Sequence, residues 1–215
     1  MTEPLRADLV LSGGGVKGIA LAGAAAALVQ AGYLPQRISG TSAGALVGAV
    51  LAAATQAGRL SAAQLEDLAT SIDYGEFLDA GFVERIPVLG PAYGALTGDG
   101  IYGGEALRRW VADRLAGYGV STFADLAIDD SSLPPEQRYR LVVTVADVTL
   151  GQLVRLPWDY QRLYGLNPDT QSVADAVRAS TAIPFFFHPA SLTSARVSPG
   201  APRSSARGRA RTAAR

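Results

Sequence analysis

The stretch RISGTSAGALVGAVLAAATQ, residues 37–56, changes character at its centre. Arg37 to Ser39 is a short β-prone run, whereas Ala43 to Gln56 is an unbroken, alanine-rich run of strong helix formers. Between them Gly40-Thr41-Ser42-Ala43-Gly44 sets a serine in a GxSxG pattern. A nucleophile elbow holds its serine in a strained strand-to-helix turn, and the flanking glycines let strand and helix approach each other. A small residue in an ordinary tight turn gives the same letters. In a chain with 24 glycines the pattern by itself leaves both readings open.

Upstream lies a second glycine cluster, Ser12-Gly13-Gly14-Gly15-Val16-Lys17-Gly18. It follows a β-prone run, Asp8 to Leu11, and precedes an apolar, small-residue helix expected over Lys17 to Gln30. The order strand, glycine loop, helix, strand, serine turn, helix is the opening of a parallel α/β sheet. Further along, helices are expected over Ser61 to Ile72, with Ser61 as N-cap, and over Gly104 to Leu115. Tyr139 to Val148 is the strongest strand, and Gly151 to Leu156 pairs with it as a hairpin. A helix over Asp175 to Ala182 ends ahead of Pro184.

Composition narrows the chemistry. At 215 residues, 48% hydrophobic and 18% charged, the chain builds one sizeable core. Six of its 19 basic residues fall after residue 189, leaving 13 basic and 19 acidic side chains in residues 1–189. An acidic body is a poor partner for nucleic acid, and none is expected. There is no cysteine and a single histidine, so no metal and no cofactor is expected. The amino terminus carries Glu3 and Asp8 around too short an apolar run for a secretory signal, which makes cytoplasmic the expected location. The apolar runs Ile19 to Val29 and Ala43 to Ala54 fall short of the roughly 20 residues a spanning helix needs.

Three uses compete for the first glycine cluster. A phosphate-binding P-loop needs Lys followed by Ser or Thr, but Gly18 and Ile19 follow Lys17. A dinucleotide fingerprint matches Gly13, Gly15 and Gly18, yet no acidic residue lies between Asp8 and Glu66 to hold a ribose. The remaining use is an oxyanion hole, in which the Gly14 and Gly15 amides stabilise a tetrahedral acyl intermediate formed by Ser42. Gly14 is expected to take a positive φ there.

A GGGxKG loop after the first strand, followed by GTSAG on a strand-to-helix turn, resembles the patatin-like phospholipases. GDGIYGGEALRRWV, VVTVADVTLGQL and DAVRASTAIPFFFHP are similar to further segments of that family, and the likeness runs from about Asp8 to Pro189. The resemblance implies an α/β, three-layer fold around a central, mostly parallel sheet. It implies a serine lipid acyl hydrolase, phospholipase A-like or an esterase, acting in lipid degradation on phospholipid or other acyl-ester substrates with peripheral membrane contact. It makes Ser42 the nucleophile, with Gly40, Thr41, Ala43 and Gly44 as its elbow. Gly13, Gly14, Gly15 and Gly18 become the oxyanion loop, and Lys17 stands at a position that is often basic.

The family's base is an aspartate in an Asp-Gly-Gly/Ala motif, and here no Asp or Glu follows Asp175. Asp99-Gly100 has the letters but stands ahead of the Gly104 helix, so the dyad aspartate is assigned to no residue. One alternative is a catalytically inactive patatin-like fragment or lipid-binding pseudoenzyme. Another is a Ser-His-Asp triad of Ser42, Asp147 or Asp175, and His188, in the chain order of α/β-hydrolases. Residues 1–190 are read as the hydrolase domain, truncated or altered at its carboxyl end. Residues 191–215, rich in Arg, Ala, Ser and Pro, are read as a disordered basic tail. A frameshift or early stop would explain tail and missing aspartate together, and would leave the chain nearly inactive. The apolar residues Phe77, Leu78, Phe82, Val83, Ile86, Val88 and Leu89, in a segment punctuated by Gly and Pro, read as a lid that meets lipid.

Overall fold

The computed structural model describes residues 5–71, 104–183 and 187–194. The expected lid, most of the basic tail and Asp99 lie outside these residues. Four strands form one sheet in the order β1 (Leu5–Leu11), β2 (Tyr33–Thr41), β3 (Leu141–Asp147), β4 (Gln152–Leu156). β1, β2 and β3 run parallel and β4 returns antiparallel, so the architecture is the expected α/β fold around a mostly parallel sheet.

Five α-helices accompany the sheet among the described residues: α1 (Gly18–Gln30), α2 (Ala43–Gln56), α3 (Ala62–Ser71), α4 (Glu105–Ala116) and α5 (Val173–Thr181). Each expected helix is present, with ends shifted by a residue or two. Ser61 caps α3 by accepting a hydrogen bond from the Gln64 amide at 3.3 Å. β2 is longer than the Arg37 to Ser39 run, for two local reasons. Gly32 turns the chain out of α1 at φ +86°, which starts the strand at Tyr33. Pro35 has no N–H to give the ladder, and the register with β1 slips there, pairing Ala7 with Pro35 but Leu9 with Ile38.

The core lies where α2 presses on the sheet. Every residue of α2 from Gly44 to Ala54 is buried, as an all-apolar helix must be. It packs on Leu11, Ile38 and Leu141, and a side chain at Gly48 would meet Ile38 Cγ2 at 3.0 Å. α5 packs on β3, α2 and α4, which fixes the end of α5 beside the end of β2. On the other face of the sheet Val10 and Leu153 remain 86% and 65% exposed.

Beneath β3 and β4 sits an aromatic cluster. Phe123 meets Tyr139 and Tyr160 edge-on at 6.3 and 6.1 Å, and Tyr160 meets Tyr164 at 6.5 Å. Tyr139 donates to Asp169 Oδ1 and Tyr164 to Asp147 Oδ2, each at 2.6 Å. Burial first, and then the neighbouring carboxylates, push all three phenols above their ordinary range, with Asp169 acting on Tyr139, Asp175 on Tyr160 and Asp147 on Tyr164. The fold therefore favours the neutral phenols. Their contribution is intact below about pH 10, where free tyrosine ionises, and is lost as pH rises beyond it. Denaturant midpoints measured from pH 8 to pH 11 should fall above about pH 10, and Tyr164→Phe should make that fall shallower. An unchanged slope in Tyr164→Phe would show that this phenol is not held neutral.

Candidate active site

The two glycine motifs meet at the carboxyl ends of β1 and β2. β1 ends at Leu11, and Ser12 to Gly14 lead into a single 3-10 turn, Gly15–Lys17, before α1. Gly15 carries the positive φ of this loop, +55°. The conformational demand assigned to Gly14 therefore falls one residue later, because the turn closes through the Lys17 amide donating to the Gly14 carbonyl at 3.1 Å. A side chain at Gly14 would stand 3.4 Å from Lys17 Cβ, which is ordinary contact.

β2 ends at Thr41 and α2 begins at Ala43, so Ser42 alone makes the turn. It does so at φ +52°, ψ −119°, and is the only non-glycine residue with a positive φ among the described residues. Holding a residue with a side chain there costs on the order of 1–3 kcal/mol, which the surrounding contacts must offset. Those contacts need glycine on either side. A Cβ on Gly40 would lie 2.3 Å from the Gly44 carbonyl oxygen, and one on Gly44 would lie 2.2 Å from the Leu11 carbonyl oxygen. The ends of β1 and β2 and the first turn of α2 thus touch backbone to backbone. Gly13 joins them, since a Cβ built on it would stand 3.4 Å from Ser42 Cβ.

Ser42 is half-buried and sits at the positive end of α2. Its carbonyl oxygen accepts from the Ala45 and Leu46 amides at 2.9 and 3.1 Å, starting the helix. The Ala43 and Gly44 amides, in the first turn, have no intrahelical acceptor. Its own amide donates to Ser180 Oγ at 2.8 Å, and Ser180 Oγ donates to the Thr144 carbonyl oxygen at 2.7 Å. Ser180 was not singled out from sequence; the helix that carries it was, but no pattern says which helix residue meets Ser42. Thr41 Oγ1 and Thr144 Oγ1 are also in hydrogen-bond contact across β2 and β3.

Among the described residues no carboxylate or imidazole hydrogen-bonds Ser42 Oγ. The structure does not assemble the Ser-His-Asp alternative. Asp147 is buried, and its Oδ1 accepts from the Thr149 and Leu150 amides at 2.8 and 2.9 Å while Oδ2 accepts from Tyr164. It holds the β3–β4 turn. Asp175 pairs with Arg108 Nε at 2.5 Å, and His188 is exposed. Nor do three His, Asp or Glu side chains come together as a metal would require, among the described residues.

A family model described as patatin-like phospholipase matches residues 9–201. The chain belongs to the patatin-like phospholipase family. This patatin-like chain is 37% identical over 186 residues to the uncharacterized protein YqhO of Bacillus subtilis strain 168, covering 86% of the chain and 58% of YqhO. It thus spans less than two thirds of the length of that curated relative. Among solved structures it resembles ExoU in the heterodimeric ExoU-SpcU complex from the type III secretion system of Pseudomonas aeruginosa, with a TM-score of 0.52 and 25% identity over 85% of this chain and 37% of that one. VipD from Legionella pneumophila is similar with a TM-score of 0.50 and 21% identity, over 89% of this chain and 44% of that one. These likenesses establish the shared fold. No helix among the described residues is long and apolar enough to cross a membrane.

Proposed function

We propose that this patatin-like chain carries the nucleophile and oxyanion half of a serine lipid acyl hydrolase site, with Ser42 as nucleophile. The observation that carries the proposal is the backbone of Ser42, held at φ +52° between two glycines that admit no side chain. Strain of this kind persists only where its surroundings enforce it, and active sites are where it collects. Ser42 Oγ attacks the acyl carbonyl carbon, the carbonyl π electrons move to oxygen, and collapse of the tetrahedral intermediate expels the alcohol. The loop of Gly13, Gly14, Gly15 and Gly18, together with the first amides of α2, faces the developing oxyanion. The Ser42 proton passes to a base, assigned to no residue of this chain, which returns it to the departing alkoxide; water then attacks the acyl-Ser42 ester, releasing the fatty acid and restoring the Ser42 hydroxyl.

Phospholipid and short acyl esters are the substrates to offer, alongside a fluorophosphonate probe. Ser42-dependent release of fatty acid supports the proposal, and a folded chain in which Ser42 is neither acylated nor labelled ends it. A second reading, a lipid-binding protein of the same fold without turnover, is favoured by the Ser42 hydroxyl, which meets no carboxylate or imidazole among the described residues. Labelling of Ser42 without turnover selects it.

Contact with a lipid surface is part of the proposal, and its candidate residues lie in residues 77–89, outside those described. Replacing Phe82 and Val83 with serine should weaken vesicle binding by about tenfold, the value of roughly 1.4 kcal/mol of lost apolar burial, and leave labelling by a soluble probe unchanged. Equal loss of both would indicate a folding defect instead.

A further inference from the structure

The amide of Ser42 and the carbonyl of Thr144 are joined through one hydroxyl, that of Ser180 near the end of α5. An amide only donates and a carbonyl only accepts, so the direction of both bonds is fixed. Ser180 Oγ receives the Ser42 N–H and gives its one proton to the Thr144 oxygen. That oxygen belongs to β3, the strand beside β2, and Thr144 is paired with Thr41, the residue before Ser42. The bridge therefore ties the strained turn to the sheet from the side opposite the glycine contacts with Leu11.

We infer that Ser180 is a positioning residue for Ser42: its hydroxyl fixes the orientation of the Ser42 backbone, and through it the direction of the Ser42 Oγ. The inference rests on the proposal that Ser42 is the nucleophile. Two consequences follow from the bond directions. The Ser180 proton is committed to Thr144, so Ser180 does not donate to an oxyanion, and as a neutral hydroxyl it is too weak a base to deprotonate Ser42. The Ser42 amide is likewise committed, so donors to an oxyanion come from the glycine loop and from α2 beyond Ser42.

Alanine at 180 leaves an amide and a carbonyl unpaired and frees the turn to relax, whereas threonine keeps the hydroxyl. Misplacing a reacting atom by about 1 Å costs on the order of 100-fold in rate. The experiment is the rate of fluorophosphonate labelling, with the adduct located by peptide mass, in the unaltered chain, Ser180→Ala and Ser180→Thr. The expected result is an adduct on Ser42 in all three. The limiting rate should fall about 10- to 100-fold in Ser180→Ala at unchanged half-saturating probe concentration, and be restored in Ser180→Thr. Ser180→Ala labelled on Ser42 at the unaltered rate overturns the inference while leaving the nucleophile in place; no adduct on Ser42 in the unaltered chain overturns the nucleophile itself. Hydrogen exchange in the unaltered chain gives a test free of any folding defect. The Ser42 amide should exchange slowly, protected by Ser180, and free exchange there contradicts the bridge.

Discussion

Gly44→Ala is expected to destabilise the chain by about 3 kcal/mol and to abolish any reactivity of Ser42. The added carbon would stand 2.2 Å from the Leu11 carbonyl oxygen, 2.6 Å from the Leu11 carbonyl carbon and 2.7 Å from the Ser12 oxygen. All three atoms are backbone at the end of β1, so no side chain can swing aside. Either α2 lifts from the sheet or the end of β1 moves, and both disturb the loop that runs into Gly13. Overpacking of a tight site usually costs about 1–3 kcal/mol, and a backbone contact this short belongs at the upper end. Equilibrium denaturation measures the loss. A Gly44→Ala chain as stable as the original would mean that strand and helix do not approach this closely.

Ser42→Ala should behave in the opposite way. Reactivity toward a fluorophosphonate disappears, because no hydroxyl remains to form the phosphorus–oxygen bond, and in serine hydrolases this change removes several orders of magnitude of rate. Stability changes by no more than about 0.5 kcal/mol, since one half-buried hydroxyl is lost and the Ser42 amide bond to Ser180 is kept. Ser42→Gly separates strain from chemistry further. Glycine takes φ +52° readily, so this variant should be more stable than Ser42→Ala by about 1 kcal/mol and equally unreactive. Thermal melts of the two variants at one pH make the comparison. Equal stabilities would show that the turn at residue 42 carries no strain.

Much of the fold was legible because its signals are local. The helix over Ala43 to Gln56 and the strand around Leu141 to Asp147 follow from propensity and apolar run length, and the two glycine motifs mark strand ends. What was illegible depends on contacts distant in sequence. Nothing near Gly14 and Gly15 says which of them takes the positive φ; the bond from Lys17 back to Gly14 decides it. Nothing near Ser180 announces its meeting with Ser42, 138 residues earlier, because that depends on how α5 packs on β3. In sequence Asp147 is a candidate for the Ser-His-Asp triad, and only the Thr149, Leu150 and Tyr164 donors around its carboxylate place it in the turn.

The most direct test of the central claim is peptide mapping of the intact chain after prolonged exposure to a fluorophosphonate. The account predicts a single adduct, on the peptide that contains Gly40-Thr41-Ser42-Ala43-Gly44, with fragment ions placing it on Ser42. An adduct on any other serine, or a folded chain that acquires none, would contradict it.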